Sequence, residues 1–304
     1  MGVPRKTITI VLAFFAIYVI WGSTYLLNKI AVSELSPFFL ASVRFLSAGA
    51  IIFSIAKFMK MNLSITRKQL INAIISSFLF LVYGNGVFVW ALKYVDSGFG
   101  ALIAATQPLF VLLLMKLIDG KKMQTNAIIG VVLGIVGMYV LVSQKTFVTQ
   151  EGTLLGIFMI LTCVLSWSYG SIFVSNANLP ANYFVSTAYQ MISAGLMLII
   201  LSFSLNESWV SPISWSTPVK WSMLLLIVFG SVVAFTAFNY LLKVVSTEKV
   251  STSAYVNPVV AIFMGWYILD EIISVQTFIA AIILLTGVYF ITTKRKIRIR
   301  PFGR

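Results

Sequence analysis

Apolar residues gather in long runs along this chain, as at 8–22, 123–142 and 277–291, with short polar stretches between them. A helix needs ~20 residues to cross a ~30 Å hydrocarbon core, so runs of this length read as membrane spans. The runs do not alternate apolar with polar positions, which argues against a barrel and for helices that pair every backbone group internally. The pattern predicts ten spans, at about 8–31, 38–58, 70–92, 98–117, 123–142, 152–174, 181–203, 219–242, 249–269 and 274–292. The longest loop, about 204–218, is too small to be a domain. Function is therefore expected inside the membrane, and the expected fold class is an all-α membrane protein.

The pattern also repeats. Shifted by 146 residues, Trp21 falls on Trp167, and "RFLSAG" (44–49) falls on "QMISAG" (190–195). Shifted by 150, Lys93 meets Lys243, Ala104 meets Ala254, Pro108 meets Pro258, Gly137 meets Gly287 and Tyr139 meets Tyr289. The chain reads as two five-span copies, 1–146 and 147–304, the second ending in a basic tail. With an odd number of spans per copy, the second enters the bilayer upside down. Two inverted five-helix repeats are the architecture of many secondary carriers, with a binding site near the midplane between the halves.

Composition sharpens this. The chain is 60% hydrophobic and only 10% charged, too little charge to cover a soluble protein of 304 residues. Its net charge of +14 is unevenly placed. With the N-terminus inside, 17 of 22 basic residues fall on inside segments, and only Lys29, Lys93, Lys145 and Lys220 fall outside. That is the positive-inside pattern, and it predicts a multi-pass protein of the inner (plasma) membrane with both termini cytoplasmic. The tail Lys294–Arg304 is expected to meet anionic lipid headgroups rather than nucleic acid. Arg5 and Lys6 precede an apolar run too long for a cleavable signal.

Around "WGSTYLLNKI" (21–30), "SPFFLASVRFLSAG" (36–49) and the Pro-centred spans 4 and 9, the chain resembles an EamA-type permease of the drug/metabolite transporter superfamily. The resemblance covers nearly the whole chain. It implies export of amino acids, metabolites or toxic compounds through a central cavity lined mainly by spans 1, 3, 4, 6, 8 and 9. One departure is visible: the acidic turn after span 9 reads "DEII", whereas that after span 4 reads "DGKK".

The polar side chains, read independently, fall on the same spans. Polar groups at membrane depth are costly and mark function or helix contacts. The candidates for an aromatic and amide-lined solute pocket are Trp21, Tyr25, Asn85, Trp90, Gln107, Trp167, Asn239, Tyr255 and Asn257. Gln107-Pro108 and Asn257-Pro258 occupy equivalent places in the two copies. Each proline frees a carbonyl four residues back, Ala104 or Ala254, and is expected to kink its helix. The neighbouring amides either satisfy those carbonyls or face solute. Arg44 is the one clear charge within a span, a candidate for gating or anion binding; its mate is Gln190. Spans 5 and 10 carry almost no polar groups. Their glycines serve packing within the chain or between two copies, so the protein is expected to be a monomer or a homodimer.

Absences restrict the chemistry. There is no histidine and a single cysteine, Cys163, so no disulfide framework, metal cluster or cofactor is expected. The eight acids (Glu34, Asp96, Asp119, Glu151, Glu207, Glu248, Asp270 and Glu271) all sit at loops or span ends. Without a mid-membrane carboxylate, transport is expected to be weakly coupled or facilitated. A membrane-embedded enzyme or a non-transporting scaffold is the alternative, and it lacks an acid–base cluster.

Overall fold

The computed structural model describes residues 5–120, 125–143, 151–245, 247–250 and 253–292. The "DGKK" turn beyond Gly120 and the basic tail lie outside the described residues, so the lipid contact expected of the tail does too. Among the described residues there are helices and no strands.

Among the described residues, beside short helical turns at Pro212–Ser214 and Thr247–Val250, the longer helical stretches are α1 (Thr7–Val32), α2 (Pro37–Phe58), α3 (Arg67–Ala91), α4 (Ser97–Ile118), α5 (Thr125–Val142), α6 (Thr153–Asn176), α7 (Tyr183–Ser204), α8 (Thr217–Val244), α9 (Ser253–Leu269) and α10 (Val275–Thr292). Among the described residues, seven of them are long and apolar enough to cross a membrane, while α5, α9 and α10 are shorter apolar helices. Local chemistry sets their ends. Pro37 opens α2, where its missing N–H costs nothing. Thr66 and Gln69 form a reciprocal capping box at α3. Asn182 accepts from the backbone of Phe184 and Val185 at the start of α7. Gly120 ends α4 at φ 64°, a left-handed turn that glycine adopts without strain.

Two helix pairs show how the copies meet. A Cβ at Gly49 would stand 2.7 Å from Ile192, and a Cβ at Gly195 would stand 2.5 Å from Leu46. Residues 46 and 49 of α2 thus meet the residues 146 positions later in α7, each touching the other's mate. The ring contact of Phe53 with Tyr189, 5.1 Å between centroids, continues the same line, so α2 and α7 run antiparallel. The pair α5 and α10 repeats this geometry. A Cβ at Gly137 would meet Leu284 at 2.8 Å, and one at Gly287 would meet the Gly134 nitrogen at 2.9 Å. Reciprocal contacts of this kind are what a pseudo-two-fold axis produces. They also show what the glycines of α5 and α10 do: they bring these two helices together within one chain.

Candidate functional site

Three helices widen into π-turns where they pass the centre: α1 at Ala16–Ile20, α3 at Phe78–Val87 and α8 at Leu226–Val233. A wide turn weakens in-helix pairing and often marks a functional site. Each wide turn passes a carbonyl to a side chain of another helix. In α1, Asn257 of α9, oriented so that its amide nitrogen donates, reaches Tyr18 O at 2.8 Å and Ile17 O at 2.9 Å. In α3, Ser166 donates to Leu79 O at 2.8 Å and the Cys163 thiol to Tyr83 O at 3.3 Å, both from α6. In α8, the Trp21 indole donates to Gly230 O at 3.1 Å. Buried carbonyls need such partners, because lipid offers none.

Inside this ring lies a central cavity. Its volume is about 120 Å³, roughly tenfold what a single buried water needs. Its walls come from α1, α3, α4, α6, α8 and α9, with Arg44 and Phe45 of α2 and Met191 of α7. Neither α5 nor α10 contributes a lining residue. Part of the lining is aromatic. Trp21 and Trp167 meet edge to face at 5.7 Å, and Phe238 lies 5.0 Å from Trp21 and 5.9 Å from Trp167. Tyr25 packs on Phe88. Asn28, Asn85 and Arg44 add polar groups, and Arg44 is the only charged residue among the described residues that line the cavity.

Of the residues expected from sequence, Trp21, Tyr25, Asn85, Gln107, Trp167 and Asn257 line the cavity together with Arg44. Two others are placed elsewhere. Trp90 packs against Phe38 at 5.8 Å, and Asn239 is buried, donating to Thr187 at 2.9 Å and Gln190 at 3.2 Å of α7. Asn239 is a bolt between α7 and α8, because a buried amide in lipid takes the nearest acceptors. The side chain of Tyr255 lies outside the described residues.

The two prolines differ. α4 is broken at Ala105–Thr106, and Pro108 sits in the first turn of its second half, so this is a restart rather than a kink. Pro258 lies inside a continuous α9. The Gln107 carbonyl accepts from Ser168 at 3.3 Å while its residue lines the cavity. Asn257, in contrast, uses its amide nitrogen to hold α1. Phe235 and Phe238 look like ordinary apolar core residues in the string, and Gly230-Ser231 sits among uniformly apolar neighbours, so nothing local marks these residues as part of the site.

One end of the bundle is latched by carboxylates. Glu271 accepts from Ser97 N at 2.8 Å, Ser97 Oγ at 2.7 Å and Gly98 N at 3.1 Å, capping α4. Glu207 caps α2 through Phe38 N and Phe39 N. Lys29 donates to the Leu92 and Val95 carbonyls, each at 2.7 Å. Between them, burial pushes the Asp96 carboxyl above its ordinary value of 3.8; Glu271 adds to this and Lys29 opposes it. An acid whose folded value is raised stabilises the fold below 3.8, and that contribution is lost as pH climbs through the raised value. In detergent melts, wild type is therefore expected to match Asp96→Asn near pH 3.8 and to fall progressively below it as pH rises. A constant gap at all pH values would contradict this.

The sequence pattern of the EamA-like transporter family matches the chain twice, over residues 8–143 and 154–293. This chain belongs to the EamA-like transporter family. It is 34% identical over 289 residues to the "Uncharacterized inner membrane transporter YedA" of Escherichia coli (strain K12), covering 95% of this chain and 92% of that protein. It is 25% identical over 282 residues to a "Probable amino-acid metabolite efflux pump" of the same strain, covering 90% of this chain and 91% of that one. A solved crystal structure superposes with a TM-score of 0.68 at 18% identity, over 92% of this chain and 94% of its own, which speaks to the fold. As a member of the EamA-like family with a duplicated domain and several apolar helices, the chain is a multi-pass membrane transporter.

Proposed function

We propose that this transporter is a secondary carrier that moves small organic solutes across the cytoplasmic membrane by alternating access. The observation that carries the reading is the central cavity, enclosed by equivalent helices of both copies and lined by aromatic rings and amides. Such a lining suits a solute with an apolar body oriented by a few polar groups. The antiparallel, reciprocal pairing of α2 with α7 and of α5 with α10 supports two inverted five-helix halves. At 18, 17 and 18 residues, α5, α9 and α10 are within the range that spans when helical. Ten spans then place both termini on the cytoplasmic side, which a reporter joined to the C-terminus reads directly. Amino acids lead the candidate solutes, because one relative carries that name.

Counterflow tests this. Proteoliposomes preloaded with one unlabelled amino acid are expected to accumulate its labelled form. Gln107→Ala is expected to cut that flux about tenfold with melting temperature unchanged, since one solute hydrogen bond is lost and the side chain makes no hydrogen bond among the described residues. Absence of flux for every amino acid tried, or chemical conversion without flux, would sink the carrier reading.

A further inference from the structure

We infer that Arg44, with Asn28, Asn85 and Ser231, forms a carboxylate-binding subsite, so that the cargo is a solute bearing a carboxylate beside an apolar body. The inference rests on the carrier reading and names its substrate class.

Arg44 lies mid-helix in α2 and is 3% exposed. Its Nε donates to Ser231 Oγ of α8 at 2.8 Å. Nη1 reaches Asn28 Oδ1 of α1 at 3.3 Å and Asn85 Oδ1 of α3 at 3.4 Å. The Phe45 ring lies 5.0 Å from its central carbon. Every one of these partners is neutral, and among the described residues no carboxylate hydrogen-bonds the guanidinium. A buried charge without a counter-ion is unfavourable even when hydrogen-bonded, and a bound anion offsets that cost.

The geometry leaves room for one. Ser231 is fully buried and does not line the cavity, so it holds Nε from behind. Asn28, Asn85 and Arg44 itself do line it. The two Nη1 bonds are long compared with the usual ~2.9 Å, hence weak and easily exchanged. Nη2 makes no hydrogen bond among the described residues. It lies 3.3 Å from where a Cβ at Gly230 would stand, so the glycine lets it pack there without a clash. A carboxylate entering from the cavity meets the Nη1 and Nη2 edge of the fork, the arrangement that guanidinium and carboxylate prefer.

The other copy lacks this subsite. The mates of Arg44, Asn28, Asn85 and Ser231 are Gln190, Val174, Phe235 and Leu81. Gln190 is bound to Asn239 and Ser186 within its own helix pair. The cavity lining thus combines one guanidinium, from α2, with the rings of Trp21, Trp167, Phe235 and Phe238. A solute that carries both a carboxylate and a ring or alkyl group finds a partner for each in this lining.

The test is binding, read separately from flux. Purified protein is titrated with phenylpropanoate and with phenylpropanamide, which share shape and differ in charge, while fluorescence of the cavity-lining Trp21 and Trp167 reports occupancy. Wild type is expected to bind the carboxylate at least tenfold more tightly. Arg44→Gln, which installs the residue of the other copy, is expected to bring the two within about twofold, because the charge-assisted pair is gone. Arg44→Lys keeps the charge but not the fork, so its preference is expected to shrink without vanishing; this variant decides the matter if the glutamine does not fold. Equal binding of the two probes by wild type, no binding of the carboxylate, or a preference undiminished in Arg44→Gln or Arg44→Lys would each overturn the subsite. Amino-acid counterflow separates the two ideas. Preference with no flux of any amino acid removes the carrier reading and keeps the subsite; amino-acid flux without preference does the reverse.

Discussion

Gly195→Leu is expected to abolish the folded transporter, and Gly49→Leu to do so equally. At Gly195 a Cβ would stand 2.5 Å from Leu46 Cγ and 3.0 Å from its backbone nitrogen. At Gly49 it would stand 2.7 Å from Ile192 Cδ1 and 3.1 Å from the Ile192 nitrogen. A side-chain end can swing away, but a backbone nitrogen moves only if the whole helix does. Overpacking of a core costs about 1–3 kcal/mol even when side chains can adjust. Here the helices have to separate, so about 3 kcal/mol or more is expected for each variant. Loss of the monodisperse peak in detergent chromatography is the measurement. Gly134→Ala is the control, because the nearest atom to its Cβ is 3.6 Å away, an ordinary contact. The equality matters as much as the size. The two positions are mates under a pseudo-two-fold relation, so a severe effect at one and a mild effect at the other would contradict the inverted-repeat reading.

Trp167→Ala is expected to lower solute affinity and flux between tenfold and a hundredfold while leaving the protein folded. The indole lies between Trp21, Phe80 and Phe238, and it lines the cavity. Burial of a large apolar group against it contributes about 1.5–3 kcal/mol, which sets that range. Trp21→Ala is expected to be worse for stability, since it also removes the hydrogen bond to Gly230 O in the wide turn of α8. Trp21→Phe keeps the ring and drops only that bond. If Trp167→Ala transported at the wild-type rate, the aromatic part of the lining would have no part in holding solute.

Much of this architecture was legible in the string of residues. The ten apolar stretches, the two copies and the spans that carry polar groups all follow from local hydropathy and from self-similarity. Glycines 137 and 287 were legible as packing positions, but their partners were not. The cavity residues were legible as a set, yet their division of labour was hidden. Asn257 and Gln107 hold equivalent places beside prolines, but only the first spends its amide on a neighbouring helix. Asn239 reads like a pocket residue and is a bolt between helices. Nothing in the periodicity marks the π-turns, because a wide turn shifts later residues by a fraction of a turn in runs that are apolar all round.

By itself, the sequence determined that this chain is helical, duplicated and embedded in a membrane, since those properties depend on residues close together or on a fixed shift along the chain. Only the tertiary structure decided which carbonyls of the wide turns are met by which side chains, and which polar groups are left facing the centre. The reason is physical. In lipid each backbone group must find its partner within the protein, and here Trp21 finds its acceptor 209 residues away, and Arg44 its serine 187 residues away.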